Sequence, residues 1–360
     1  MKAGILTIYK TGNYGATLQA YATKRAIEDL GVQADIIPYC AKSIENKIDK
    51  DFIQKRGVLG TAVALVEKLY YHPRMKKTLG WVAGYAPGPM LARADLPRLE
   101  KEYDVFIAGS DQIWNPDIQH GDHSYLLDFV SDPAKRCSYA SSFGADRLTE
   151  DYAALCRAEL SRFRVLTVRE ESGADLVQQL TGSRPPVVLD PTMLLPAARW
   201  EAMLPPARIK GSYTFVYQMA HSSMLASLAA RVQRARGGRI DFVPFPIGGA
   251  CRFHMHLGLS PLEWARCVHD AQFVLTDSFH GLVFSILFHR PFYYVVTSDT
   301  VKKRLGRATT LLASLGLSDR MLTSMDQLDP DAAIDWAAVD TRLAALRESS
   351  LAQLKRMVQP

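Results

Sequence analysis

Short apolar runs alternate with amphipathic helical stretches along almost the whole chain, and that pattern is the signature of parallel βα units. The runs in the first half are Gly4–Tyr9, Ala34–Pro38, Asp104–Ala108, Cys137–Ser141, Phe163–Val168 and Val187–Leu189. Those in the second half are Tyr213–Gln218, Ile240–Pro244, Phe273–Asp277 and Phe292–Thr297. Most are continuously apolar rather than alternating, as expected when helices cover both faces of a sheet. Between them the spacing predicts helices over Ala16–Leu30, Asp151–Ser161, Ser172–Leu180, Ser222–Arg236, Pro261–Asp270, Gly281–Phe288, Val301–Leu315 and Ile334–Met357. In the first of these Leu18, Ala22, Ala26 and Leu30 form one stripe, and Gly31 follows as a stop.

At 360 residues the chain is long enough for about two domains of roughly 150 residues each. Leu195–Pro206 carries Pro196, Pro205 and Pro206 in a polar stretch and is the predicted linker. The expected architecture is therefore α/β, with two facing Rossmann-like domains and an interdomain cleft. Residues 1–195 form the first domain, 196–330 the second, and a helix in 331–360 closes the chain. Ala41–Pro97 is basic and weakly periodic, and reads as an excursion of helices and loops from the first domain. In such sheets ligands collect at the carboxyl ends of the strands.

Lys and Arg number 43 against 37 Asp and Glu, a net +6 spread over the chain without a basic block. That excess suits anionic small molecules or a membrane surface, and gives no stripe for nucleic acid. No segment reaches the roughly 18 unbroken apolar residues of a membrane span, and MKAGILTIYK reads as a first strand rather than a leader. Five scattered cysteines without a C-x-x-C fit a reducing, cytoplasmic setting.

Five loops stand out at the strand ends. Lys10-Thr11-Gly12-Asn13-Tyr14-Gly15 allows a tight turn into a helix N-terminus, although a plain βα turn explains it equally well. Gly109-Ser110-Asp111-Gln112-Ile113-Trp114-Asn115-Pro116 combines carboxylate, amide and indole, the groups that bond sugar hydroxyls and pack on sugar C–H faces. A cap would explain Ser110 or Asp111 alone, but not Gln112, Trp114 and Asn115 as well. Ser138-Tyr139-Ala140-Ser141-Ser142-Phe143-Gly144 is a strand running into small polar residues. Arg169 follows a buried strand, where it can clamp an anion or pair with Glu170 or Glu171. Phe273–Asp277 runs into Ser278-Phe279-His280-Gly281, so Asp277 or Ser278 caps a helix and His280 falls at its first turn. A histidine there can answer to a bound anion as an acid, the alternative being a mere cap. Cys251, His254 and His256, and His120 with His123, lack the further ligands a metal site needs.

GNYGATLQAYA, VFIAGSDQIWNP, SYASSFG, VREESG, LDPTMLL, GLSPLEWARCVHDAQFVLTDSFHG and FSILFHRPFYYV, in this order, resemble the polysaccharide pyruvyl transferase family. The resemblance implies a GT-B-type arrangement of the two domains, phosphoenolpyruvate as donor with no cofactor or metal, and a cyclic pyruvate ketal on a cell-surface glycan. Carried over, it makes Arg169 the donor-binding arginine and His280 the essential histidine. Several members have R-L-H where this chain has Ser278-Phe279-His280. Ser278, backbone N–H groups about Gly281, and charge from Lys302, Lys303 or Arg304 are then expected to serve the donor. Asp111 is the expected base. Asn13, Tyr14, Ser110, Gln112, Trp114 and Asn115 are the expected acceptor contacts. An acceptor on polyprenyl diphosphate would place the protein at the inner membrane face, with Lys47–Arg56 and Arg74–Lys77 as docking charges. A GT-B glycosyltransferase using a nucleotide sugar is the alternative, and an inactive glycan-binding relative a more distant one.

Overall fold

The computed structural model describes residues 1–41, 58–119, 121–220, 222–244, 254–297 and 305–359. Two compact units result. Met1–Ala64, Leu79–Leu195 and Ala345–Pro360 make the first, Leu65–Thr78 and Pro196–Ala344 the second. Residues from within the expected excursion thus enter the second unit, and the end of the last helix belongs to the first.

In unit 1, β1 (Lys2–Leu6), β2 (Gln33–Ile36), β3 (Val105–Ala108), β4 (Arg136–Ser141) and β5 (Val165–Val168) form a sheet in the order β2-β1-β3-β4-β5. Every pairing is parallel. β1, β3 and β4 are short and buried on both faces, which is why they read as unbroken apolar runs, while the edge strand β2 is partly exposed. Around them stand α1 (Tyr14–Glu28), α2 (Val58–Ala83), α3 (Glu150–Leu160) and α4 (Glu171–Thr181), α2 being divided between the units. Leu6, Phe106, Trp114, Tyr125, Phe143, Val168 and Val177 belong to one buried cluster.

Unit 2 is built on the same plan. β6 (Tyr213–Gln218), β7 (Arg239–Pro244), β8 (His254–Met255), β9 (Phe273–Thr276), β10 (Phe292–Val295) and β11 (Met321–Leu322) are ordered β11-β10-β9-β6-β7-β8, again all parallel. α5 (Ser223–Arg236), α6 (Pro261–Asp270), α7 (Phe279–Leu287) and α8 (Gly306–Leu315) accompany them, and α9 (Trp336–Val358) ends the chain. Val216, Leu225, Phe242, Leu275, Tyr293 and Val295 form its sheet core. Tyr217, Trp264, Phe284 and Trp200 add a run of edge-on rings 5.1–5.4 Å apart.

Local chemistry sets the helix starts. Asn13 caps α1 by accepting from Gly15 N at 3.0 Å. Ser260 and Glu263 make a reciprocal capping box at α6, with Pro261 in the first turn. Two expectations shift. Val187–Leu189 forms only a bridge from Val187 to Val168, because Pro185 and Pro186 before it offer no N–H and Pro191 follows closely. The two-residue strands β8 and β11 carry no period for a sequence to display.

Gly281 fixes how closely α7 meets β9: a Cβ there would lie 2.4 Å from Thr276 Oγ1. Gly281→Ala is expected to cost about 1–3 kcal/mol by overpacking. In a Thr276→Ala background the added cost should shrink, and denaturant titration of the four variants measures both numbers.

Candidate functional site

The carboxyl ends of the unit 1 strands converge on a buried ion cluster. Arg169, one residue beyond β5, sends Nη1 to Asp190 Oδ2 at 2.7 Å and Nη2 to Asp111 Oδ1 at 2.9 Å. The guanidinium is 1% exposed, Asp190 0% and Asp111 12%, so Asp111 is the member nearest solvent. Burial works against the Arg169 charge, but Asp111, Asp190 and Glu170 outweigh it and hold its pKa above the ordinary arginine value. Asp190 is fixed in turn by Thr192, whose N and Oγ1 donate to Oδ1 at 3.0 and 2.7 Å.

Asp111 stands where it does because the β3 loop turns sharply at φ +71°. The loop is held from α1. Gln19 donates to Thr7 Oγ1 and to two backbone carbonyls and accepts from Ser110 N at 3.2 Å. Ser110 Oγ donates to Ala140 O, and Ser142 Oγ donates to Glu170 Oε1 at 2.6 Å. Two glycines leave room for this. A Cβ at Gly109 (φ +124°) would meet Tyr139 O at 2.1 Å, and one at Gly144 (φ +59°) would meet Gln112 Nε2 at 1.9 Å.

Several sequence expectations change here. Arg169 bonds the distant Asp111 and Asp190, while Glu170 accepts from Ser142 and Glu171 pairs with Arg184. Trp114 offers no ring to a sugar, since it is sealed in the core between Phe143 and Phe163 and donates Nε1 to Tyr125 O. Ser110 and Tyr14 are wholly buried, and Asn115 is spent on Asp117 N. Asn13 remains partly exposed, and Gln112 is nearly closed off beneath Gly144. Asp190 and Gln19 were missed. The polar turn after 187–189 pointed to the first, and a glutamine beside the apolar stripe of α1 to the second.

In unit 2 the corresponding position is the β9–α7 turn. Ser278 is the cap, its Oγ accepting from Gly281 N at 3.5 Å, and His280 lies in the first turn, 4% exposed. Asp277 ties the strand ends together. Its carboxylate accepts from Met219 N at 2.5 Å, Ala220 N at 2.9 Å and Thr297 Oγ1 at 3.2 Å. Burial raises its pKa to about 6, against the lowering effect of those hydrogen bonds. Arg307 stacks over the Phe279 ring at 5.4 Å.

Lys302, Lys303, Arg304, Lys47–Arg56, Cys251 and His120 lie outside the described residues. His256 Nε2 is 2.6 Å from Asp241, which also accepts from Arg239. Among the described residues no three His, Cys, Asp or Glu side chains are grouped to hold a metal, and no helix is long and apolar enough to cross a membrane. Of the expected Arg74–Lys77 patch, Arg74 is buried, whereas Lys76 and Lys77 are exposed, Lys77 bonding Glu263 at 2.9 Å.

A model of the polysaccharide pyruvyl transferase family matches residues 13–299, well over half of the chain. No curated protein matches the sequence. Solved structures to which the chain is similar include UDP-GlcNAc 2-epimerase from Methanocaldococcus jannaschii, at TM-score 0.47 and 11% identity over 100% of this chain and 93% of that one. Arabidopsis thaliana UGT89C1 complexed with quercetin gives 0.42 and 10% over 99% and 93%. E. coli heptosyltransferase WaaC with ADP gives 0.38 and 14% over 84% and 89%.

Removing Arg169 strands two carboxylates, so Arg169→Met should lower the unfolding free energy by about 3–5 kcal/mol, read by denaturant titration. Asp277 gives a pH signature of definite sign. Its folded pKa, about 6, lies above the ordinary 3.8, so its stabilising contribution is full below about 3.8 and is lost as pH rises through about 6. The loss is on the order of 3 kcal/mol. Asp277→Asn should flatten that part of the stability–pH curve, and an unchanged curve would show that folding leaves the carboxyl's pKa at its ordinary value.

Proposed function

Because the chain belongs to the polysaccharide pyruvyl transferase family, we propose that this pyruvyltransferase draws on phosphoenolpyruvate. It moves the pyruvyl group to two hydroxyls of a sugar in a cell-surface or lipid-linked glycan, forming a cyclic ketal and releasing phosphate. The observation that carries this reading is His280 in the first turn of α7, beyond the carboxyl end of β9. A helix start offers unsatisfied N–H groups to a carboxylate or phosphate, and an imidazole beside it can deliver a proton.

The chemistry asks for one proton in and two out. Protonating the methylene carbon of the donor builds positive charge on the carbon that bears phosphate. One sugar hydroxyl then bonds to that carbon and gives its proton to a base. The second hydroxyl bonds there as the C–O bond to phosphate breaks, and its proton leaves with a base or with the phosphate. His280 supplies the first proton or the one taken by the departing phosphate, with Ser278 and the N–H groups near Gly281 holding the anion.

In unit 1 the reading assigns an exchange of partners. Arg169 already holds two carboxylates, and Asp111 is the more accessible of them. A donor anion that takes the Nη2 position releases Asp111, whose freed carboxylate then accepts the hydroxyl proton. Donor binding and base formation become one event.

Two substitutions test this against mass-detected gain of one pyruvate less one water. His280→Gln should abolish the product while the melting temperature changes little. Asp111→Asn, with a weaker competitor for Arg169, should lower kcat and also lower the KM for phosphoenolpyruvate. An unchanged or raised KM would refute the exchange. Heat protection by nucleotide sugars but not by phosphoenolpyruvate would overturn the donor itself.

A further inference from the structure

Residues 71–78 of α2 pack within unit 2 through three side chains that the reaction scheme does not use. Pro73 sits inside the helix, where it removes one backbone hydrogen bond. It packs on Gly258, where a Cβ would come within 2.9 Å of Pro73 Cβ. Lys77 grips Glu263, which also closes the capping box of α6 and meets Arg208 at 3.1 Å. Between them Arg74 is 1% exposed, with Nη2 3.4 Å from the Tyr217 hydroxyl. A guanidinium is costly to bury without a well-placed partner.

Tyr217 is paired in register with Thr276 across the β6–β9 ladder. Its carbonyl accepts from Thr276 Oγ1 at 2.8 Å, and Thr276 Oγ1 itself accepts from Ser278 N at 3.0 Å. Ser278 caps α7, and Asp277 takes the N–H groups of Met219 and Ala220 just past β6. The turn that carries His280 is therefore hung from the end of β6, through Tyr217 O by way of Thr276 and through Met219 N and Ala220 N by way of Asp277. The Tyr217 ring is set on its other side by Trp264, at 5.1 Å. The phenol feels the charges of both Arg74 and Asp277.

We infer that Arg74 is a positioning residue for the His280 turn, acting through the Tyr217 hydroxyl. It fixes where β6 ends, and so where Ser278 and the first turn of α7 lie. This rests on the reading of His280 as the working group of unit 2. The distance in sequence between residues 74 and 280 hides the link, since α2 brings Arg74 in from a basic stretch that otherwise reads as surface.

The test uses the full-length chain with Arg74→Met, Arg74→Lys, Tyr217→Phe and the Met/Phe double variant. Tyr217→Phe keeps the ring against Trp264, so it stays interpretable if Arg74→Met folds poorly. Expected are equal losses of kcat in Arg74→Met and Tyr217→Phe, about 10- to 100-fold for a misplaced group. The double variant should be no worse than either single one, and Arg74→Lys should recover most of the rate. Without any substrate, amide exchange over 276–288 should quicken in the Met and Phe variants while the β7 and α5 peptides stay unchanged. Uniformly faster exchange through unit 2 would mean a scaffold role only, and an unmoved 276–288 segment would overturn the inference. Should wild type fail to use phosphoenolpyruvate while the exchange pattern holds, the donor assignment falls and the positioning role stands.

Discussion

A guanidinium sealed beneath the strand ends of unit 1 dictates how that half of the chain must close. Arg169 can be buried only if both carboxylates arrive with it, because a buried charge without partners costs several kcal/mol. Asp111 comes from the loop after β3, Asp190 from the turn after residue 189, and Arg169 from the end of β5. Three separate connections are thus satisfied together or not at all. The left-handed backbone at Asp111 and the grip of Gln19 on Ser110 are the means by which the β3 loop is brought to its share of that contact.

Unit 2 handles a comparable problem with different chemistry. Asp277 is as deeply buried as Arg169, but its partners are backbone amides and one threonine hydroxyl rather than an opposite charge. Neutral donors offset only part of the desolvation, so burial pushes the carboxyl's pKa up to about 6, while Arg169 is held more firmly charged than usual. One unit is built around a permanent ion cluster and the other around a group whose charge can change near neutrality.

Much of this was legible in the sequence, for physical reasons. Unbroken apolar runs such as Val105–Ala108 and Phe273–Thr276 announce strands covered on both faces, and Ser278 announces a helix start with His280 inside it. What a sequence withholds is direction. Trp114 has the composition of a sugar platform, yet its ring turns inward to Phe143 and Phe163, because an indole buries more apolar area than any loop can forgo. Arg74 stands in a cationic stretch and is buried all the same, its guanidinium meeting the Tyr217 hydroxyl of β6, far off in sequence. Arg169 had adjacent acids to choose from and takes distant ones, which no spacing rule encodes.

The crowding about the β3 loop bears on how such a protein can change its taste in sugars. Gly109 and Gly144 have no space for a side chain, Ser110 and Trp114 are consumed by internal bonds, and Asn115 is committed to the next turn. Drift, or a mutagenic library, finds little latitude in those positions, however well they look placed for recognition. Even the partly exposed Thr11 and Asn13 share in this constraint, since Thr11 Oγ1 accepts from Asn13 N and Asn13 in turn starts α1, so a new side chain at either comes at the expense of the helix.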